Sequence, residues 1–388
     1  MNIKQQILTC LYSTPSGKDF AFSSSSHNTI KRFSESVKDF LKASTYDEAK
    51  HRCSELYFTM LDLHDKYPIL NPTINRLNTE ELYGVYKPEQ HRLHYRHQAN
   101  VFLLGLYIFH NFEPLRNEIE REMRQTTVEI QREPSYQSFR YSGGNEYGEF
   151  LYRWRLSSLC HDIGTGIQLC EGKQDKIAFS LNRLPFQKRI HSIKELVAFE
   201  DHNLLNDLDT ACDFIGVSDY MKYQELRPDR YNIHHDHGII GSLIFLHLMH
   251  EAFSRHRENP ISRNVEGTEV FWHPDILSNS ITQIAIAIAM HNLEMYPKAL
   301  EKSTEEIRIF DMKKHPLSWL LKISDLIQEW DKPEVDDSLN GLPTTNLRLK
   351  ISHSKILVEN FPKQKHDKTA KVLQRYTNPN NIIMLESA

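Results

Sequence analysis

Five stretches of this chain are apolar at helical spacing, and each begins with, ends on or encloses a histidine or an aspartate. They are His97 ahead of 101–109, 151–160 running into His161-Asp162, His237 ahead of 238–249, 284–290 running into His291, and 319–327 around Asp325. Apolar residues recurring at this period over ten or more positions argue for helices packed on a common core. A carboxylate delivered into such a core is costly unless something pairs with it. Six imidazole and carboxylate groups meeting there satisfy one another only around a cation, and this mixed nitrogen and oxygen set suits iron, manganese, zinc, nickel or magnesium. The expectation is an all-α bundle that carries a metal site.

Chance does not make this pattern cheaply, although the dipeptide at its centre is common. His-Asp occurs four times, at 64–65, 161–162, 235–236 and 366–367, where roughly one is expected at random from the frequencies of its two residues. Context separates them. The 64–65 and 366–367 pairs lie among lysines, as solvated pairs do, whereas Leu151, Leu156 and Leu159 lead into His161-Asp162 and Ile163-Gly164 follows it. Gly164 is expected to end the helix or to let a ligand approach the backbone. Histidines also cluster near the candidate ligands, at His91, His94 and His97 and at His234, His235 and His237.

The remainder of the sequence sets bounds. A chain of 388 residues buries a large core without covalent staples. Its net charge of -4 gives no bias toward nucleic acid or an anionic membrane. The five cysteines (Cys10, Cys53, Cys160, Cys170 and Cys212) are odd in number and form no C-x-x-C pair, which fits reduced thiols and a cytoplasmic protein. No apolar run approaches the roughly 20 residues that span a bilayer, and the first residues lead into no signal-peptide core.

Along the chain, 1–85 reads as a polar, N-terminal helical region, 86–335 as the catalytic-looking body and 336–388 as an accessory tail. Helices are expected over 97–110, 114–132, 148–162, 192–204, 238–256, 276–292 and 316–330. The segments 164–234 and 257–275 read as polar insertions near the site mouth, and 138–148 as a glycine-bearing loop. In the tail, 347–351 and 355–358 flank a polar break, which predicts a β-hairpin, and 363–375 predicts a short basic helix for packing or self-association.

In order and context the six residues resemble the H…HD…H…H…D pattern of the HD superfamily of metal-dependent phosphohydrolases. The matching stretches are Arg96-His97, His161-Asp162-Ile163-Gly164, His237-Gly238-Ile239-Ile240-Gly241, Met290-His291-Asn292 and Ile323-Ser324-Asp325-Leu326. The resemblance implies an HD-type helical bundle over 86–335 and two divalent ions. His97, His161, Asp162 and Asp325 would hold the first, and Asp162 would bridge to a second held by His237 and His291. It implies hydrolysis of a phosphoester, phosphodiester or phosphoanhydride, with a nucleotide as substrate.

Arg96, Arg153, Arg155, Arg230 and Lys322 are the candidates for binding phosphate charge. His234 and His235, beside His237, are candidates for protonating the leaving oxygen or orienting substrate, and Asp236 and Asp331 for orienting a ligand histidine or capping a helix. The branch stays open: Thr165 stands where many two-metal members have lysine, Asn292 follows His291 where they have a second histidine, and no G-Y-P signature follows. Two other readings share the ligand set. One is a di-iron oxygenase similar to myo-inositol oxygenase, and the other is a non-catalytic nucleotide sensor or assembly module, possible as a homo-oligomer.

Overall fold

A computed structural model describes residues 1–13, 27–62, 94–132, 146–165, 237–258, 264–265, 268–269, 274–292, 312–330, 346–376 and 382–387. In chain order its elements are α1 (Ile3–Ser13), α2 (His27–Lys42), α3 (Tyr46–Asp62), α4 (His94–Asn111), α5 (Glu113–Arg132) and α6 (Glu146–Cys160). There follow α7 (His237–Glu258), β1 (Asn264–Val265), β2 (Thr268–Glu269), α8 (Pro274–Met290) and α9 (Pro316–Ile327). The tail holds β3 (Arg348–Ile351), β4 (Ile356–Phe361), α10 (Lys363–Tyr376) and β5 (Ile383–Ser387). The protein is all-α with a small set of C-terminal strands. Every apolar run singled out above is a helix, and none of the described helices is long and apolar enough to cross a membrane. The helix expected over 192–204 lies outside the described residues, as do residues 138–145 of the expected loop and 166–234 of the expected insertion; the last three residues of that loop, 146–148, instead open α6.

The chain divides into two units. The first comprises Met1–Asp65, Gly84–Leu159 and Arg308–Ala388. Its centre is α4, in which every residue from Arg96 to Phe109 is buried, so the helix is covered on all sides rather than on one face. Around it, α2 contributes Phe33, Val37, Phe40 and Leu41, and α3 contributes Cys53, Leu56 and Tyr57. The Tyr57 hydroxyl donates to Gln98 Oε1 at 2.9 Å and so ties α3 to α4 with a satisfied buried pair. Helix α6 crosses α4 at Gly105, where a Cβ would lie 1.9 Å from the Trp154 ring, and the Trp154 indole donates to Phe102 O at 3.0 Å.

Helix α9 is buried at every position but one. Eleven of its twelve residues are covered, and the exception is Asp325. Pro316 opens it, at a position where the missing N–H costs nothing, and Gln328 ends it in an extended conformation.

The tail belongs to this first unit. β3 and β4 form the expected antiparallel hairpin, pairing Arg348 with Glu359 through Ile351 with Ile356. β5 adds a parallel partner for β4 after the α10 crossover, so β4 is the central strand. That third strand was not expected from the sequence. The outer edge of β3 is covered by the start of the chain: Ile3 N–H donates to Leu347 O at 2.8 Å, and the Gln6 amide bonds both Leu349 O (2.8 Å) and Leu349 N–H (3.0 Å). A glutamine side chain thus stands in for a neighbouring strand and blunts the edge. Asn2 and Gln5 exchange side-chain to backbone bonds of 3.0 Å and cap α1 reciprocally.

The second unit comprises Lys66–Tyr83 and Cys160–Ile307. Its described core is the pair α7 and α8. In α8, Ile284 through Met290 are all buried, and in α7 Ile239, Ile240, Leu243, Ile244, Phe245 and Leu246 are buried. The two helices approach at Gly238, where a Cβ would lie 2.9 Å from the carbonyl oxygens of both Ile288 and Ala289. β1 and β2 form a two-residue antiparallel ladder inside the stretch read from the sequence as a polar insertion.

Candidate metal centre

Within the second unit four of the six predicted ligands come together. Asp162 stands in the turns that follow Cys160, held by Ile163 N–H to Cys160 O (3.1 Å) and Thr165 N–H to Asp162 O (3.0 Å). Its Oδ2 lies 3.2 Å from His161 Nε2, and its Oδ1 lies 3.4 Å from His237 Nε2 and 3.7 Å from His291 Nε2. The two imidazole nitrogens are 3.1 Å apart. The point equidistant from Asp162 Oδ1 and these two nitrogens lies about 2.0 Å from each, which is the bond length that zinc and its neighbours make to imidazole and carboxylate. The donor set fits a divalent ion in size and in chemistry.

Backbone packing places His237 there. A Cβ on Gly164 would lie 2.2 Å from His237 O and 2.6 Å from Gly241 N, while one on Gly241 would meet Ile163, Gly164 and His161 at 3.2 to 3.4 Å. The first turn of α7 therefore rests directly on the turn that carries His161 and Asp162. Gly238 does the same against the last turn of α8, which carries His291. Gly164 was expected to end a helix or admit a ligand; the close approach it permits is that of another helix's backbone.

The Nδ1 atoms of the histidines are anchored, which aims Nε2 inward. His291 Nδ1–H donates to Ile288 O at 2.5 Å, so in the neutral ring the lone pair sits on Nε2. His237 Nδ1 accepts from the Asn292 amide nitrogen at 3.2 Å, which fixes the ring plane but leaves the proton of the neutral ring on Nε2. Ligation through Nε2 requires that proton to leave or the Asn292 amide to turn end for end. Asn292, noted in the sequence only as the residue that replaces a second histidine, orients His237. Thr165, which stands in place of a lysine, donates its hydroxyl to Asp162 Oδ1 at 3.5 Å. Burial alone pushes the Asp162 carboxyl up, but the charge and hydrogen bond of His161, with the imidazoles of His237 and His291 beside it, hold it well below the usual carboxylate range. Asp162 is an anion in the neutral pH range.

Within the first unit the remaining two ligands meet. His97, on the first turn of α4, directs Nε2 to Asp325 Oδ1 at 2.8 Å. Asp325 keeps a quarter of its side chain exposed in an otherwise buried helix, while His97 is 8 % exposed. The far side of the His97 ring, Nδ1, bonds Gln328 Oε1. Gln328 was not singled out in the sequence; Asp236 and Asp331, which were, lie outside the described residues.

The cations proposed for phosphate are placed as follows. Arg96, Arg153, Arg155 and Lys322 are all buried in the first unit, at 4 % exposure or less. Arg153 is engaged by two carboxylates: its Nε donates to Glu149 Oε1 at 2.7 Å and its Nη1 to Glu122 Oε1 at 3.4 Å. These ion pairs fix α6 to itself and to α5. The Arg96 charge reaches Cys53 and partly offsets the upward push of burial on that thiol. Arg230, His234 and His235 lie outside the described residues.

No protein-family model matches the chain, and no curated protein and no solved structure is detectably similar to it.

Proposed function

We propose that this protein is an HD-type metal-dependent phosphohydrolase acting on a nucleotide. The observation that carries the reading is the cluster of Asp162 Oδ1 with the Nε2 atoms of His237 and His291, spaced around a point at metal-bond distance from all three. The order of the ligands along the sequence supports it as well. In this reading Asp162, His237 and His291 would hold an ion in the second unit, and His97 and Asp325 would offer a further pair of ligand atoms in the first. When bound, divalent ions of this kind bring the pKa of water toward neutrality and neutralise charge on phosphate oxygens.

The chain's own residues do the rest. Asp162 stays ionised, because three histidines favour its anion. Ile288 O fixes the plane and the tautomer of His291 for binding, and Asn292 fixes the plane of His237, whose Nε2 gives up its proton on binding. Arg96, Arg155, Arg230 and Lys322 are the groups proposed to bind the charge of the substrate, and His234 or His235 to protonate the leaving oxygen.

Purified protein supplemented with manganese and incubated with ribonucleotides, deoxynucleotides and cyclic nucleotides should release phosphate or a nucleoside monophosphate, as resolved by chromatography. Asp162→Ala should abolish both turnover and bound metal. Metal-dependent oxygen consumption without phosphate release would overturn the hydrolase in favour of an oxygenase. Nucleotide binding without turnover would leave a sensor.

A further inference from the structure

We infer that Gln328 is a positioning residue that selects the tautomer of His97 and thereby makes Nε2 available to a metal ion; the inference rests on the metal site proposed above. Gln328 caps α9: its backbone N–H closes the last turn on Ser324 O at 3.1 Å, and its own conformation is already extended. The side chain is fully buried and turns back toward α4. There the two ends of its amide have different partners. The nitrogen donates to Trp330 O at 2.6 Å, and the oxygen meets His97 Nδ1.

This arrangement has one consistent assignment. A backbone carbonyl only accepts, so the atom facing Trp330 O must be the amide nitrogen. The atom facing His97 is then the amide oxygen, which also only accepts, and Nδ1 must carry the proton. In the neutral ring Nε2 is left with a lone pair directed at Asp325 Oδ1, 2.8 Å away. Two acceptors at that distance repel unless a proton or a metal cation lies with them. A glutamine reversed end for end would instead favour the Nε2–H tautomer, which cannot ligate. The amide of Gln328 thus commits His97 to the form that binds metal, in the way a hydrogen-bonded partner on the far ring nitrogen holds ligating histidines elsewhere.

The test is a zinc and manganese titration, against a competing chromogenic chelator, of full-length wild-type, Gln328→Glu, Gln328→Met and His97→Ala proteins. Gln328→Met keeps the bulk and removes the acceptor, and should weaken metal binding by about 10- to 100-fold. Gln328→Glu keeps an acceptor on Nδ1 and, in a titration at about pH 8 where the ring is not doubly protonated, should bind within about threefold of wild type. Equal affinity in Gln328→Met, or equal loss in both variants, overturns the inference. Failure of the wild-type protein to bind either ion would instead sink the metal site itself. A readout independent of any variant's folding is the nitrogen spectrum of ¹⁵N-histidine-labelled, zinc-loaded wild type. It should show His97 protonated at Nδ1, and a His97 protonated at Nε2 refutes the assignment.

Discussion

Gly164→Ala is a substitution of one methyl group that should disable the metal site without touching a ligand. The added Cβ would lie 2.2 Å from His237 O, 2.6 Å from Gly241 N and 3.0 Å from His237 C. All three are backbone atoms, so no flexible side chain can yield. Relieving the contact to ordinary van der Waals distance requires the first turn of α7 and the turn at 161–165 to separate by about 1 Å, a forced overpacking that costs about 1–3 kcal/mol. The same displacement carries His237 Nε2 away from Asp162 Oδ1 and His291 Nε2, now 3.4 and 3.1 Å distant. Donor atoms arranged around a 2 Å bond length do not tolerate that. Metal affinity should fall by about 10- to 100-fold, the range seen when the support of a ligand is lost, and the melting temperature by several degrees. Chelator competition reports the first and thermal unfolding the second. Gly105→Ala is the control: its Cβ would clash with the Trp154 ring inside the first unit, so it should destabilise by a similar or larger amount. If Gly164→Ala binds zinc as tightly as wild type while its melting point drops, the close approach of Gly164 does not position His237 and the reasoning fails.

Further outcomes follow from the same packing. Arg153→Ala leaves Glu149 and Glu122 without their buried partner and should cost about 3–5 kcal/mol in urea unfolding. Burial pushes the Glu122 carboxyl up despite the pull of Arg153. Its folded form therefore prefers the proton, and wild-type stability is lost as pH rises from the ordinary carboxylate value through the raised folded one. Glu122→Gln should accordingly be more stable than wild type at pH 7 and indistinguishable from it at low pH, where the acid is protonated in both states; a gain that persists at low pH rules out this cause. Burial raises the Cys160 thiol to about 12 and the Cys53 thiol further, so both should resist iodoacetamide at pH 8 and react only in denaturant, as peptide mass mapping will read. Gln6→Ala removes the two bonds that cover the edge of β3 and should cost about 1–2 kcal/mol. Hydrogen exchange at the Leu349 amide should then speed up, and an unchanged rate would show that the α1 contact does not protect this strand.

The helices were legible because long apolar runs leave few alternatives. The stretch 284–290 alternates isoleucine and alanine and would suit a strand by period alone, yet Leu277, Ile281, Ile284 and Ile288 recur at helical spacing, and burial of every residue from Ile284 to Met290 agrees with a fully covered helix. The candidate ligand residues stand out for a related reason. Asp325 is a carboxylate inside an apolar helix and Asp162 one at the end of another, which sequence alone marks as anomalous. β5 was not legible. Its burial pattern is irregular, with Ile383 covered and Met384 exposed, and it becomes a strand only because β4 offers a free edge after the α10 crossover.

What the sequence hid at the site is the layer that orients the ligands. Gln328, Asn292 and Ile288 O act through hydrogen-bond direction, and direction has no periodicity or composition to betray it. Asp236 and Asp331 are the natural candidates for this role because aspartate is the familiar partner of a ligating histidine. The geometry gives the reason an amide serves at His97 instead. Asp325 already supplies one carboxylate to Nε2, and a second at Nδ1 would favour the doubly protonated ring, in which no lone pair remains for a metal. A neutral acceptor whose other end is fixed on Trp330 O sets the tautomer without stabilising that extra proton. On this argument Gln328→Glu has a cost that appears in acid: the carboxylate should retain metal near pH 8 but release it at a higher pH than wild type as the solution is acidified. A release profile identical to wild type would mean that the charge of the Nδ1 partner is immaterial, and the preference for an amide would need another cause.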